Sequence, residues 1–121
     1  MFAEIDAFAR RSGSRPETFA GLAGTGDLVA TVLASGSRNR RAGELLAAGA
    51  DPSGIEQTLG QAAESLDALP LLAHALTSAG VDAPAVSGLA DVIEGRTDAT
   101  DWAATITAPP RTKSKRFVRA A

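Results

Sequence analysis

Residues 19–44, FAGLAGTGDLVATVLASGSRNRRAGE, gather the side chains of this chain best suited to chemistry. One acid, Asp27, stands among glycines, and Thr31 follows four residues later, a spacing that puts carboxylate and hydroxyl on one face of a helix. Such a pair suits the oxygens of a polyol or a small hydroxy ketone. Asp27 equally suits the N-cap of the helix it opens, a role worth about 0.5–2 kcal/mol. Further on, Ser37, Arg38 and Asn39 stand in a row at a predicted helix start. With Ser37 as cap, the unpaired N–H groups of the next residues and the positive helix end face an anion, and the planar fork of Arg38 fits phosphate or carboxylate. The dipole contributes about 0.3–1 kcal/mol and each hydrogen bond to a charged group about 1.5–3 kcal/mol, so Arg38 would dominate anion affinity. The other reading of Arg38, Arg40 and Arg41 is a solvated face, or pairing with the acids of the chain.

The segment GLAGTG invites a nucleotide-loop reading, but the dinucleotide fingerprint needs G-x-G-x-x-G directly after a strand. Here Gly24 and Gly26 are followed at the last position by Val29, and PETFAGLA ahead of them reads as helix. Glu64, in GQAAES, suits an exposed or capping glutamate as well as a ligand. His74 falls in a leucine-rich helix, where a structural or exposed role is expected, and Phe2, Phe8, Phe19 and Trp102 read as packing residues.

The frame that must hold these groups is aliphatic. At 121 residues the chain has the length of one domain, with 45% apolar residues but only 4% aromatic ones. Leu and Ala dominate, favouring helix over sheet. With no cysteine, disulfides, thiolate catalysis and cysteine-built zinc sites are excluded, and a single histidine leaves no His-rich metal site. No apolar stretch approaches the roughly 18–20 residues that span a bilayer, and MFAEIDAFARR lacks the basic-then-apolar order of a signal peptide, so a cytoplasmic protein with no membrane partner is expected. The net charge of −2 is uneven. Arg111, Lys113, Lys115, Arg116 and Arg119 make the last eleven residues basic, while residues 1–110 hold seven basic and fourteen acidic side chains. An acidic body argues against nucleic acid as the main partner; the tail, residues 111–121, reads as solvated and disordered, or as a contact for nucleic acid or an anionic surface.

Helical periodicity marks every segment, and the fold class is all-α with about seven helices over residues 1–110. A first helix runs from Phe2 toward Gly13, and a second starts at Ser14 or Arg15 with Pro16 in its first turn. Gly24-Thr25-Gly26 is expected to break the chain before Asp27 caps DLVATVL. A helix capped by Ser37 ends at Gly49, and Asp51-Pro52-Ser53 leads into GIEQTLG. Asp67 is predicted to cap the helix through His74, which would keep Pro70 in the first turn; Asp82 is predicted to cap APAVSGLADVIEG, and Thr97 or Asp98 the last helix.

GLAGTGDLVAT followed by SRNRRAGELLAAG resembles the signature of the C-terminal helical domain of bacterial-type NAD(P)-dependent glycerol-3-phosphate dehydrogenases, and LGQAAES and LAHALTSAGVDAPAVSGLADVIEG extend the likeness over residues 1–106. The resemblance implies a compact multi-helix domain like the C-terminal domain of 6-phosphogluconate dehydrogenase. It further implies an enzyme that interconverts dihydroxyacetone phosphate and sn-glycerol 3-phosphate with NAD or NADP, feeding glycerophospholipid synthesis. By position, Asp27, Thr31, Ser37, Arg38 and Asn39 match substrate-binding residues, and Arg38, Ala62 and Glu64 match cofactor contacts. There are two departures: Ala62 stands where Val is usual, and Ser65 where Gly is common. The family's Rossmann domain and its catalytic lysine precede the matched region, and Lys113 and Lys115 do not correspond to that lysine. The resemblance therefore implies a substrate-binding half with no catalytic residue of its own, working with an N-terminal Rossmann partner, inactive alone, and potentially dimeric. The alternative expectation is a non-catalytic helical module derived from that fold that keeps the anion site, or an adaptor acting through the basic tail.

Overall fold

The computed structural model describes residues 1–108, with backbone only for Leu22 and Ala23. As expected of an all-α chain, the described residues contain helices and no strand. There are eight α-helices among them: α1 (Phe2–Arg11), α2 (Pro16–Ala20), α3 (Asp27–Leu33), α4 (Arg38–Ala47), α5 (Ile55–Leu59), α6 (Glu64–Ser78), α7 (Pro84–Ile93) and α8 (Ala99–Thr107). A π-helical turn, Leu22–Gly26, enters α3, and a 3₁₀ turn, Pro52–Gly54, enters α5. No single helix among these residues is long and apolar enough to cross a membrane. The basic tail expected at residues 111–121 lies outside the described residues.

Two apolar clusters run along the α6–α7 pair. One joins Ala42 and Leu46 of α4, Ile55 and Leu59 of α5, Leu66 of α6 and Val92 of α7; the other joins Ala73 and Leu76 of α6 to Val86 and Ala90 of α7, with Ile5 and Phe8 of α1 against it. Because the side chains are small, helices approach closely. Gly88 of α7 faces the indole of Trp102 on α8, where a β-carbon would stand 2.7 Å from Cδ1, and the indole Nε1 donates to the Ala85 carbonyl at 3.0 Å. Phe2, Phe8, Phe19 and Trp102 all make packing contacts, as their sequence settings predict: Phe8 and Trp102 lie against the apolar clusters, and Phe2 and Phe19 meet with ring centroids 4.8 Å apart.

Local caps follow sequence where one helix supplies its own. Ser37 accepts from the Arg40 N–H, Asp51 from the N–H and hydroxyl of Ser53, and Asp98 from the Asp101 N–H. The two bonds from Ser53 hold the Asp51 carboxyl below its ordinary pKa. Gly49 and Gly60 end α4 and α5 with positive φ.

Three predicted caps are corrected. Asp27 caps nothing, because Gly26 before it is already helical and α3 has no side-chain cap. The glycines do not break the chain there; they let it coil wide and close, Gly24 packing so tightly on the Phe19 carbonyl that a β-carbon would lie 2.0 Å from that oxygen. Asp67 does not open α6, which starts at Glu64 with Pro70 in its interior. That loses the bond Pro70 would have given the Leu66 carbonyl. The earlier start buries Ala63 and Leu66, and the Glu56 carboxylate takes up the Ala63 N–H at 3.0 Å. Asp82 does not cap α7 either. Glu4, from α1, accepts from the Ala85 and Val86 N–H groups at 3.0 and 2.9 Å, and Arg11, two turns along the same helix, donates to the Ala79 and Gly80 carbonyls beyond the end of α6. Helix α1 thus clamps both ends of the α6–α7 turn.

Candidate functional site

The site is built where the N-termini of α4 and α6 converge. Capping by Ser37 starts α4 sharply, and its first turn presents the N–H groups of Arg38 and Asn39, which have no intrahelical acceptor. The Arg38 guanidinium reaches across to α6: Nη1 donates to the Ala62 carbonyl at 3.3 Å, and Nη2 lies 3.9 Å from Glu64 Oε1. Beside it the Ser65 hydroxyl donates to Asn39 Oδ1 at 2.9 Å. That bond occupies the amide oxygen of Asn39 and leaves its N–H₂ donors for a ligand. Both Arg38 and Glu64 are solvent-exposed, so their pairing at this distance is weak and easily exchanged for a bound anion.

Helix α3 forms the other wall. Thr31 and Val32 face Asn39 and Arg40 across an open cleft of about 450 Å³. Asp27 sits one helical turn before Thr31, exposed, with its carboxylate committed to no hydrogen bond among the described residues, and it lies outside the cleft lining. The structure therefore brings Arg38, Asn39, Ala62, Glu64 and Ser65 together, sets Thr31 opposite Asn39, and leaves Asp27 out of the cleft lining. Arg40 and Ser65 were not singled out as site residues by spacing, and only their contacts place them here.

The arrangement combines a helix N-terminus, a guanidinium fork, side-chain amide donors and a hydroxyl, which suits a small phosphorylated polyol. Elsewhere the surface is unsuited to such a ligand. The cavity of about 340 Å³ beside α5 and α6 is lined by Asp51, Glu56, Asp67 and Glu94 and would repel it. His74 is exposed, in a cavity with Asp91, Glu94 and Arg96, where the two acids hold the guanidinium in ion pairs. No group of acidic and histidine side chains that could hold a metal ion occurs among the described residues.

The family model described as NAD-dependent glycerol-3-phosphate dehydrogenase C-terminus matches residues 1–104. The chain belongs to that family. It is 40% identical over 111 residues to the glycerol-3-phosphate dehydrogenase [NAD(P)+] of Azotobacter vinelandii, covering 91% of this chain and 33% of the relative. It is 38% identical over 109 residues to the enzyme of that name from Methylobacterium radiotolerans, covering 90% and 32%. The counterpart in Novosphingobium aromaticivorans is 32% identical over 117 residues, covering 97% and 35%. No solved structure matches. The chain thus spans about a third of the length of the curated relatives it matches. For a glycerol-3-phosphate dehydrogenase C-terminal domain, the converging α4 and α6 N-termini are the face on which the motif residues collect. Among residues 1–108 there is no strand and hence no strand-glycine-helix turn, so these residues do not by themselves fit the bed of a dinucleotide.

Proposed function

We propose that this chain is the substrate-binding half of an NAD(P)-dependent glycerol-3-phosphate dehydrogenase, which interconverts dihydroxyacetone phosphate and sn-glycerol 3-phosphate. The observation that carries this reading is the meeting of Arg38 and Asn39, on the turn that Ser37 caps, with Ala62, Glu64 and Ser65 at two adjoining helix N-termini. In it the α4 N-terminus and Arg38 hold the phosphate, Asn39 donates to a substrate oxygen, and Thr31 and Asp27 address the hydroxyl end. Arg38, Ala62 and Glu64 form the edge that a bound dinucleotide would touch. NAD or NADP supplies the hydride chemistry, from a bed formed by other residues. The substrate-binding unit comprises residues 1–110, with residues 111–121 a basic appendage.

A nucleotide-binding partner domain fits the exposed face of α3. Leu28, Val29, Val32 and Leu33 are all about half exposed or more, and α3 buries no residue, although it carries Asp27 and Thr31. Such a surface on a helix that lines a site is expected of an interdomain face.

The test is a graft. Replacing the matched third of the Azotobacter vinelandii relative with residues 1–110 should give a protein that oxidises NADH with dihydroxyacetone phosphate, while the 121-residue chain alone does not. A graft that folds and takes up sn-glycerol 3-phosphate without turnover would favour the alternative, a helical anion-binding module. Turnover by the chain alone would overturn the reading of it as half a site.

A further inference from the structure

We infer that Arg40 is a positioning residue that holds the two walls of the site in register, an inference that rests on the substrate-binding reading of α3 and α4. Its Nη1 donates to the Val32 carbonyl at 3.0 Å, within the last turn of α3, while its Nε donates to Glu44 Oε1 at 2.9 Å, one turn along α4. The guanidinium is therefore pinned at one edge by its own helix and straps the neighbouring helix with the other. Few other ties could do this work. Helix α3 buries no side chain, Leu33 is 75% exposed, and the connection to α4 is the tight turn in which the Ser37 N–H donates to the Ala34 carbonyl. A helix end with free carbonyls is a natural seat for a guanidinium, since the negative end of the dipole attracts the charge and the unpaired carbonyls accept its N–H groups.

The consequence is a division of labour among adjacent arginines. Arg38 contacts the anion directly, whereas Arg40, with two donor edges committed, acts through Val32 to keep Thr31 opposite Asn39. Phosphate affinity should then be independent of the α3 wall. Discrimination of sn-glycerol 3-phosphate from bare phosphate, which requires the α3 wall, should depend on Arg40.

Titrating the 121-residue chain and its Arg40→Ala variant with inorganic phosphate and with sn-glycerol 3-phosphate, by amide NMR, tests this. Arg40→Ala should leave the phosphate Kd within about twofold and remove about three- to tenfold of the preference for sn-glycerol 3-phosphate, the range of one net hydrogen bond. Hydrogen exchange at residues 30–34 should quicken by a similar factor while α6 and α7 keep their protection. Arg40→Lys, with one donor head for two acceptors, should recover part of both effects. If Arg40→Ala does not fold, Glu44→Gln, which loosens only the Nε edge, should show the same changes more weakly. A loss of phosphate affinity equal to that of Arg38→Ala would make Arg40 a direct ligand and overturn the inference. Unchanged exchange in α3 would overturn it as well. Should the unaltered chain bind neither probe, the substrate reading fails, and the exchange data still decide whether Arg40 straps α3.

Discussion

The Ser65 hydroxyl, at the start of α6, donates to the Asn39 amide oxygen, at the start of α4, at a distance of 2.9 Å. Because these residues are 26 apart in sequence, the bond locks two helix N-termini that have no local reason to meet. It also fixes the amide orientation, turning the Asn39 donors outward for a ligand. Ser65→Ala should therefore weaken sn-glycerol 3-phosphate binding by about two- to tenfold, the value of a net side-chain hydrogen bond, with little effect on the melting temperature. Calorimetric titration beside a thermal melt checks this, and a lowered melting temperature with unchanged affinity would show that the bond serves only stability.

Arg38 faces two acceptors of unequal value, the Ala62 carbonyl and the Glu64 carboxylate. The carboxylate competes with an anionic ligand for the same guanidinium. Arg38→Ala in an active enzyme carrying this domain should raise KM for dihydroxyacetone phosphate about ten- to hundredfold, as expected for lost hydrogen bonds to a charged group. Glu64→Gln in the 121-residue chain should instead tighten inorganic phosphate by up to about fivefold, given the small worth of exposed ion pairs. Weaker phosphate binding by Glu64→Gln would show that Glu64 orients Arg38 rather than competing for it.

Which parts of this structure could be read beforehand depends on the range of the interaction. Ser37, Asp51 and Asp98 cap helices through partners two or three residues away, so spacing predicts Ser37, marks the restart at Asp51-Pro52-Ser53 and narrows the last cap to Thr97 or Asp98. Asp82 and Asp67 offered the same local signal, yet the caps that form at those ends come from Glu4 and Glu56, whose partners are 81 and 7 residues away. A local rule cannot weigh a distant carboxylate that fits better. The start of α6 was hidden by Pro70, whose cost in a helix interior is outweighed by burying Ala63 and Leu66. At the site, spacing gave reasons for Arg38 and Asp27, but nothing in spacing joined Arg38 to Ala62 and Glu64; the family likeness supplied that link. Asp27 stands at a helix start as its setting suggests, but it does not cap the helix and its carboxylate makes no hydrogen bond among the described residues.

Gly88 and Gly43 should respond in opposite ways to alanine. At Gly88 the new methyl would enter the Trp102 ring, which its bond to Ala85 keeps from turning away. The overpacking cost of about 1–3 kcal/mol exceeds the helix-propensity gain of up to about 1 kcal/mol, so Gly88→Ala should lower Tm. Gly43, within α4, has open space where the methyl would go, so Gly43→Ala should gain about 0.5–1 kcal/mol. Chemical denaturation of the two variants against the parent chain measures both signs; stabilisation by Gly88→Ala would mean that α8 can lift off α7 at little cost.

Glu4 is the least expected stabilising residue, since an acid near the start of a chain is usually solvated. Here its carboxylate is largely buried and takes two N–H groups at the opening turn of α7, where its charge also meets the positive helix end. Gln at this position keeps one acceptor oxygen but loses the charge and one of the two bonds. Glu4→Gln should cost about 1–2 kcal/mol and Glu4→Ala more, because Ala leaves both N–H groups without a side-chain acceptor. The loss should appear in hydrogen exchange as faster opening of the first turn of α7 and of α1, which Ile5 and Phe8 dock beside it, while α4 and α5 in the other apolar cluster stay protected. If α4 and α5 loosened equally, the two clusters would be one cooperative unit.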